Sequence, residues 1–358
     1  MKIGIICKVI DNYGDAGFSL RLGRALAAQN HDIVLFHDNT EVMNKLLSDE
    51  NGTRLQLIDT QTTNWRVHTH CEFDLLIEPF GTSSEHTLNR FDLDLKKQQA
   101  ITPWLLIDYL SSESWVDDFH LTTSVNPNTG HVTTYFYPGF TQRTGGVIHC
   151  DYPKGLRETE REPFKTPSKI FVFSYPQAPL QALIAAENAK PVESRVEIHV
   201  AGQAQQKPPE TRQTALRYLP FCPQTRFDAL LHEYDVLFVR GEDSFVRAQL
   251  AGRPLIWQIY PTEDGLHGVK LQRFFEKYTD GLSASCKTTF WNCWQSWNSL
   301  MPDERFGLTW LELQNHWPEL CENAIAWRNQ LFDNPDLVSE VLTWRAAQTP
   351  TLIDKPDL

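Results

Sequence analysis

Short apolar runs alternate with longer amphipathic stretches along the first half of the chain. Lys2–Cys7 (KIGIIC) is an almost unbroken apolar run of strand length, and the loop after it leads into the amphipathic series Phe18, Leu20, Leu22 and Leu26 of a first helix. Asp32–Phe36, Arg54–Ile58, Asp74–Pro79, Pro103–Leu110 and Val132–Tyr137 predict further strands. Near-continuous apolar strands separated by helices predict a parallel sheet covered on both faces.

Residues 151–168 (DYPKGLRETEREPFKTPS) interrupt that rhythm, being charged, broken by prolines and without an apolar period, so they read as a linker. The pattern restarts with Lys169–Tyr175, Val196–Ala201, Asp235–Val239 and Pro254–Tyr260, with helical stretches at Thr225–His232 and Ser244–Leu250. From Gly265 onward the chain turns helical over Leu266–Tyr278, Leu308–Phe332 and Leu337–Gln348. Trp291, Trp294 and Trp297, three residues apart, belong to a core or a domain contact. The expectation is an α/β protein of two doubly wound domains. These are 1–150 and 169–335, joined by the linker 151–168, with a helical segment 336–358 placed to return to the first domain. In such sheets ligands bind at the carboxyl ends of the strands.

The length of 358 residues suits two domains. Lys and Arg number 33 against 45 Asp and Glu, so 33 − 45 = −12, a balance unsuited to nucleic acid or anionic lipid. The apolar stretch before Asp11 is too short for a signal peptide or a membrane span. Seven scattered cysteines, odd in number and never spaced C-x-x-C, fit reduced thiols rather than a disulfide framework or a zinc site. Together these features predict a cytoplasmic protein with neither a nucleic-acid nor a membrane partner. No phosphate loop, G-x-G-x-x-G, G-x-S-x-G or H-E-x-x-H occurs. Asp92-Leu93-Asp94 lies beside Lys96 and Lys97 and reads as a solvated helix face, not a metal site.

Two strand-to-helix junctions carry the candidate chemistry. In Asp11-Asn12-Tyr13-Gly14-Asp15-Ala16-Gly17, two carboxylates sit four apart, and Gly14 and Gly17 let the backbone approach a ligand. As pure structure Asp15 would cap the helix, which leaves Asp11 and Tyr13 without a purpose. In Arg240-Gly241-Glu242-Asp243-Ser244, Ser244 is the expected N-cap, and Arg240 with the helix start would hold a diphosphate without metal. Glu242 and Asp243 then serve sugar hydroxyls or the reacting centre. Phe173 and Tyr175, and Phe221, Gln224 and Phe227, form two aromatic clusters able to enclose a flat base, with Gln224 reading its polar edge.

DNYGD near the N-terminus, IDYLSSESWV (Ile107–Val116), YPGFTQRTGGV (Tyr137–Val147) and VRGEDSFVRAQLAGRPLIWQIYP (Val239–Pro261) resemble the EarP family. These are bacterial protein-arginine rhamnosyltransferases that modify translation elongation factor P. The resemblance implies a GT-B fold of two facing Rossmann-like domains and an inverting transfer that needs no metal or other cofactor. The implied donor is dTDP-β-L-rhamnose. The implied acceptor is one arginine guanidinium on a loop of the factor's N-terminal domain, whose modification activates it for ribosomes stalled at polyproline. Asp15 falls on the family's essential aspartate, Asp11 on its companion and Glu242 on the second essential carboxylate. Arg240, Asp243, Ser244 and Gly14 fall on the donor side, and Phe173, Tyr175, Phe221, Gln224 and Phe227 on the nucleotide set. Two rival readings are a GT-B transferase with a different acceptor and a non-catalytic nucleotide-sugar binder. A mere binder has no use for three carboxylates.

Overall fold

A computed structural model describes residues 1–10, 12–47, 54–61, 72–81, 102–127, 130–159, 163–202, 216–262 and 265–348. Asp11, the Asp92–Asp94 pattern and residues 349–358 lie outside the described residues.

The first unit is built on β1 (Lys2–Cys7), β2 (Asp32–His37), β3 (Leu55–Asp59), β4 (Leu75–Pro79), β5 (Trp104–Ile107), β6 (Thr123–Val125) and β7 (Val132–Phe136). They lie in the order β3-β2-β1-β4-β5-β7-β6. β1 is central and parallel to both neighbours, Ile3 facing Ile33 on one side and Leu75 on the other. It is buried along nearly its whole length, so its sequence is apolar throughout rather than alternating. Helices α1 (Asn12–Ala28) and α2 (Thr40–Leu46) follow β1 and β2. The edge strand β6 runs antiparallel to β7. Its three residues TSV are all exposed, so no apolar run announced it.

The second unit has β8 (Lys169–Val172), β9 (Glu197–Ala201), β10 (Leu216–Leu219), β11 (Val236–Arg240) and β12 (Leu255–Gln258), all parallel in the order β10-β9-β8-β11-β12. Its helices are α3 (Leu180–Asn188), α4 (Gln224–Leu231), α5 (Asp243–Leu250), α6 (Leu266–Tyr278), α7 (Ala284–Trp297), α8 (Phe306–Leu313) and α9 (Trp317–Asp333). The helix expected over Leu308–Phe332 is two helices parted by a tighter turn at Gln314–His316, because Pro318 can open a helix but not continue one. β8 stops at Val172, three residues short of the expected strand. Trp294 and Trp297 are fully buried with Trp310 and Trp317, and the Phe238 ring lies 4.4 Å from Trp297. The tryptophan series is therefore core of this unit.

The chain then crosses back. In α10 (Leu337–Ala347), Leu337, Val338 and Val341 join the apolar core of the first unit. Asp336 caps α10 by accepting from Ser339 N (2.9 Å), and its other oxygen accepts from His149 N (2.9 Å) and Cys150 N (2.8 Å). Gly146 has φ +65°, and a Cβ there would stand 1.8 Å from the Pro335 carbonyl oxygen, so only glycine fits beneath the crossover. Among the described residues no helix is long and apolar enough to cross a membrane.

Candidate active site

Asp15 lies in the first turn of α1, which begins at Asn12, and is only 2% exposed. Its position inside the helix rules out the N-cap role. One carboxylate oxygen instead accepts from the backbone N–H of Ile10 at 2.7 Å, tying the loop after β1 back onto the helix.

The second junction turns sharply at Gly241, whose φ is +65°, and α5 starts at Asp243. Ser244 is therefore not the N-cap. That place falls to Glu242, whose side chain makes no cap bond, while the Ser244 hydroxyl donates back to the Arg240 carbonyl. The N-cap thus falls two residues earlier than expected, directly after the Gly241 turn. The Arg240 guanidinium lies over two rings, 4.6 Å from the Phe173 centroid and 4.3 Å from Tyr175. Its Nε is buried without a hydrogen-bond partner, which leaves this cation open to an anion.

Two cavities meet here. The larger, about 740 Å³, is walled by Phe173, Tyr218, Phe221 and Phe227, with Arg240, Asp243, Ser244 and Gln224 at its polar end and Tyr13 across from Phe221. The smaller, about 350 Å³, is lined by Asp15, Asp108, Glu113, Tyr109, Trp115 and Tyr260. Gly14, Gly241 and Glu242 line both, so they form the partition. Tyr175 reaches the larger cavity only through Arg240.

The amide of Gln224 is committed to the other unit. It donates to the Gly17 carbonyl (2.6 Å) and to Asp243 (3.0 Å), and accepts from Arg24 (2.9 Å). Gln224 thus braces the wall while lining the larger cavity. Asp243 is likewise held, by Arg21 at 2.5 and 3.1 Å. Burial works to raise the Asp243 pKa, but Arg21 and the neighbouring donors hold it below the usual carboxylate range. Among the described residues, Cys286, His316 and Glu319 bring ligand atoms within 4.8 Å of one another, but none lines either cavity. Glu319 already accepts from Ser283 N (2.5 Å) and Oγ (3.0 Å).

Residues 3–346 match the family model described as elongation factor P (EF-P) rhamnosyltransferase EarP. The chain belongs to the EarP family. It is 30% identical to the protein-arginine rhamnosyltransferase of Pseudomonas putida over 94% of this chain and 97% of that protein. It is 31% identical to that of Shewanella oneidensis over 80% and 83%. A solved structure presented as the structural basis for EarP-mediated arginine glycosylation of translation elongation factor EF-P has a TM-score of 0.59 at 22% identity, covering 97% of this chain and 99% of its own. Acinetobacter baumannii MurG follows at TM-score 0.55 and 15% identity, covering 97% and 99%. These likenesses establish the GT-B fold, and the EarP relatives make this chain a glycosyltransferase.

Within this EarP-family chain, sequence reasoning missed two groups. Asp108, Tyr109, Glu113 and Trp115 line the smaller cavity, although all four stand in the IDYLSSESWV string. Arg21, Asp151, Asp228 and Arg247 form a buried charge cluster between the units. One signal for it was present: Arg21 interrupts the apolar series Leu20, Leu22, Leu26.

Proposed function

We propose that this protein transfers L-rhamnose from dTDP-β-L-rhamnose to an arginine guanidinium of elongation factor P, with inversion and without a metal. The observation that carries the reading is the shared partition: an aromatic cavity ending in an open guanidinium abuts a cavity lined by carboxylates. The larger cavity takes the nucleotide and diphosphate, the smaller one the cationic acceptor side chain. On this reading residues 1–150 supply the acceptor side, 169–335 the donor side, and 151–168 the connection. Both partners meet in the cytoplasm.

Guanidinium has a pKa near 13 and a carboxylate near 4, so full ground-state deprotonation by Asp15 would cost about 12 kcal/mol. Asp15 therefore acts late. It orients one nitrogen and draws charge toward it, and accepts its proton as the N–C bond to the sugar forms and the C–O bond to the diphosphate breaks. Glu242, on the partition, reaches both partners and holds the acceptor against the sugar. The departing diphosphate leaves with its electron pair toward Arg240 and the N-terminus of α5. The backside approach inverts the anomeric carbon, so the β-linked donor gives an α-linked product.

The test is to incubate the protein with dTDP-rhamnose and unmodified elongation factor P and weigh the factor by intact-protein mass spectrometry. A gain of one deoxyhexose, mapped to one arginine, is expected. No gain, with dTDP binding still visible by calorimetry, would keep the donor site and discard the acceptor.

A further inference from the structure

Arg21 belongs to the unit on the acceptor side, yet its guanidinium, in a residue 5% exposed, is engaged by the donor side. Nε and Nη2 donate to the two oxygens of Asp243 at 2.5 and 3.1 Å, a fork on a fork, while Nη1 donates to Asp151 at 2.7 Å. Asp151 is shared: its other oxygen accepts from Arg247 Nη1 at 2.9 Å, and Arg247 holds both oxygens of Asp228 at 2.6 Å. A Cβ on Gly17 would stand 3.6 Å from both the Asp243 Cβ and the Gln224 Nε2, so α1 lies directly against this wall.

A brace between units needs only opposite charges that meet. This cluster has three carboxylates against two guanidiniums, and Asp243 is the member that also lines the larger cavity. Without Arg21, a buried carboxylate would face the place where a diphosphate must sit, and like charges in a desolvated site repel strongly.

We propose that Arg21 is a positioning residue for the donor site. Acting through Asp243, it fixes both carboxylate oxygens and neutralises their charge, so that a nucleoside diphosphate can lie beside them. Donor affinity thereby depends on the first unit being closed onto the second. The inference rests on the reading of the larger cavity as the nucleotide-sugar site.

The experiment titrates dTDP into the full-length protein and its variants by calorimetry, with transfer kinetics alongside. Arg21→Gln should weaken dTDP about tenfold or more and raise the donor KM, with kcat at saturating donor and the acceptor KM changed by less than about twofold. Combining it with Asp243→Asn should cost less than the sum of the two single losses, because neutralising Asp243 relieves the charge that Arg21 offset. Should Arg21→Gln fail to fold, Arg21→Lys, which keeps the charge and loses the fork, should weaken dTDP about threefold or more. A variant with lowered melting temperature and unaltered dTDP affinity would make Arg21 a brace only and overturn the inference, as would strictly additive losses. Either result, with dTDP still bound by the native protein, leaves the cavity assignment standing. If the native protein binds no dTDP, the cavity assignment itself falls.

Discussion

The two cavities share a partition and differ in almost everything else. The larger one is walled by aromatic rings and ends in Arg240, a cation stacked on Phe173 and Tyr175 with its Nε left open. The smaller one gathers Asp15, Asp108 and Glu113. Each polar end comes from a turn at the carboxyl edge of a parallel sheet, where backbone N–H groups and side chains converge. The contrast suits the proposed reaction, in which an anion leaves on one side and a cation arrives on the other. Because Arg240 lines only the larger cavity and Asp15 only the smaller, substitutions on the two sides should split binding of donor from use of acceptor.

The largest split is expected at Asp15. Asp15→Asn keeps the shape and the N–H partner but cannot take the guanidinium proton, so turnover should fall about a thousandfold while dTDP affinity stays near native. Comparable turnover in the variant would remove Asp15 from the chemistry and dissolve the contrast. Next in size, Arg240→Ala removes a half-buried cation from the proposed diphosphate site, an expected loss of about 2 kcal/mol, or roughly thirtyfold in dTDP affinity. An unaltered calorimetric affinity would show that the larger cavity does not hold the diphosphate where proposed. On the acceptor side Glu113→Gln should raise the KM for elongation factor P by only about threefold, most visibly at low salt, because this carboxylate sits at a solvated rim. A change in dTDP affinity instead would mean that the partition does not separate the two ligands.

How much of this was legible in the sequence follows from distance along the chain. Asp15, Arg240 and Glu242 each lie within a few residues of a strong apolar strand, so local pattern placed them at sheet edges. The aromatic pair Phe173 and Tyr175 was legible for the same reason, although the strand ends sooner than its apolar run. Ser244 was misplaced by the Gly241 turn, a backbone conformation that pattern alone does not reveal. The partners of Asp243 and Gln224 were invisible. Arg21 meets Asp243 across 222 residues, and the Gly17 carbonyl meets Gln224 across 207, and no local rule links segments so far apart. The amide of Gln224, which lines the larger cavity, is held by tertiary partners of that kind. The smaller cavity suffered similarly, since Asp108, Glu113 and Tyr260 come from both units.

The smallest expected effect concerns what keeps the two cavities facing each other. Burial works to raise the pKa of Asp151, yet Arg247 and Arg21 hold it below the ordinary carboxylate range, and Asp243 is depressed in the same way beside Arg21. A carboxylate whose folded pKa lies below its unfolded value contributes stability that is fully present above the unfolded value, near pH 4. That stability is lost as pH falls through the folded value. Neutral pH therefore leaves the cluster intact, and acid below about pH 4 should loosen it progressively. Asp151→Asn removes one of the three carboxylates and its share of that dependence. Across a series of thermal melts, its melting temperature should trail the native protein by a few degrees at neutral pH, with the gap narrowing as the pH drops below about 4. A gap that stays constant through the acid range would mean that Asp151 is not ionised between the two guanidiniums. The closed arrangement would then rest on the Arg21–Asp243 fork, the bonds of Gln224 and α10.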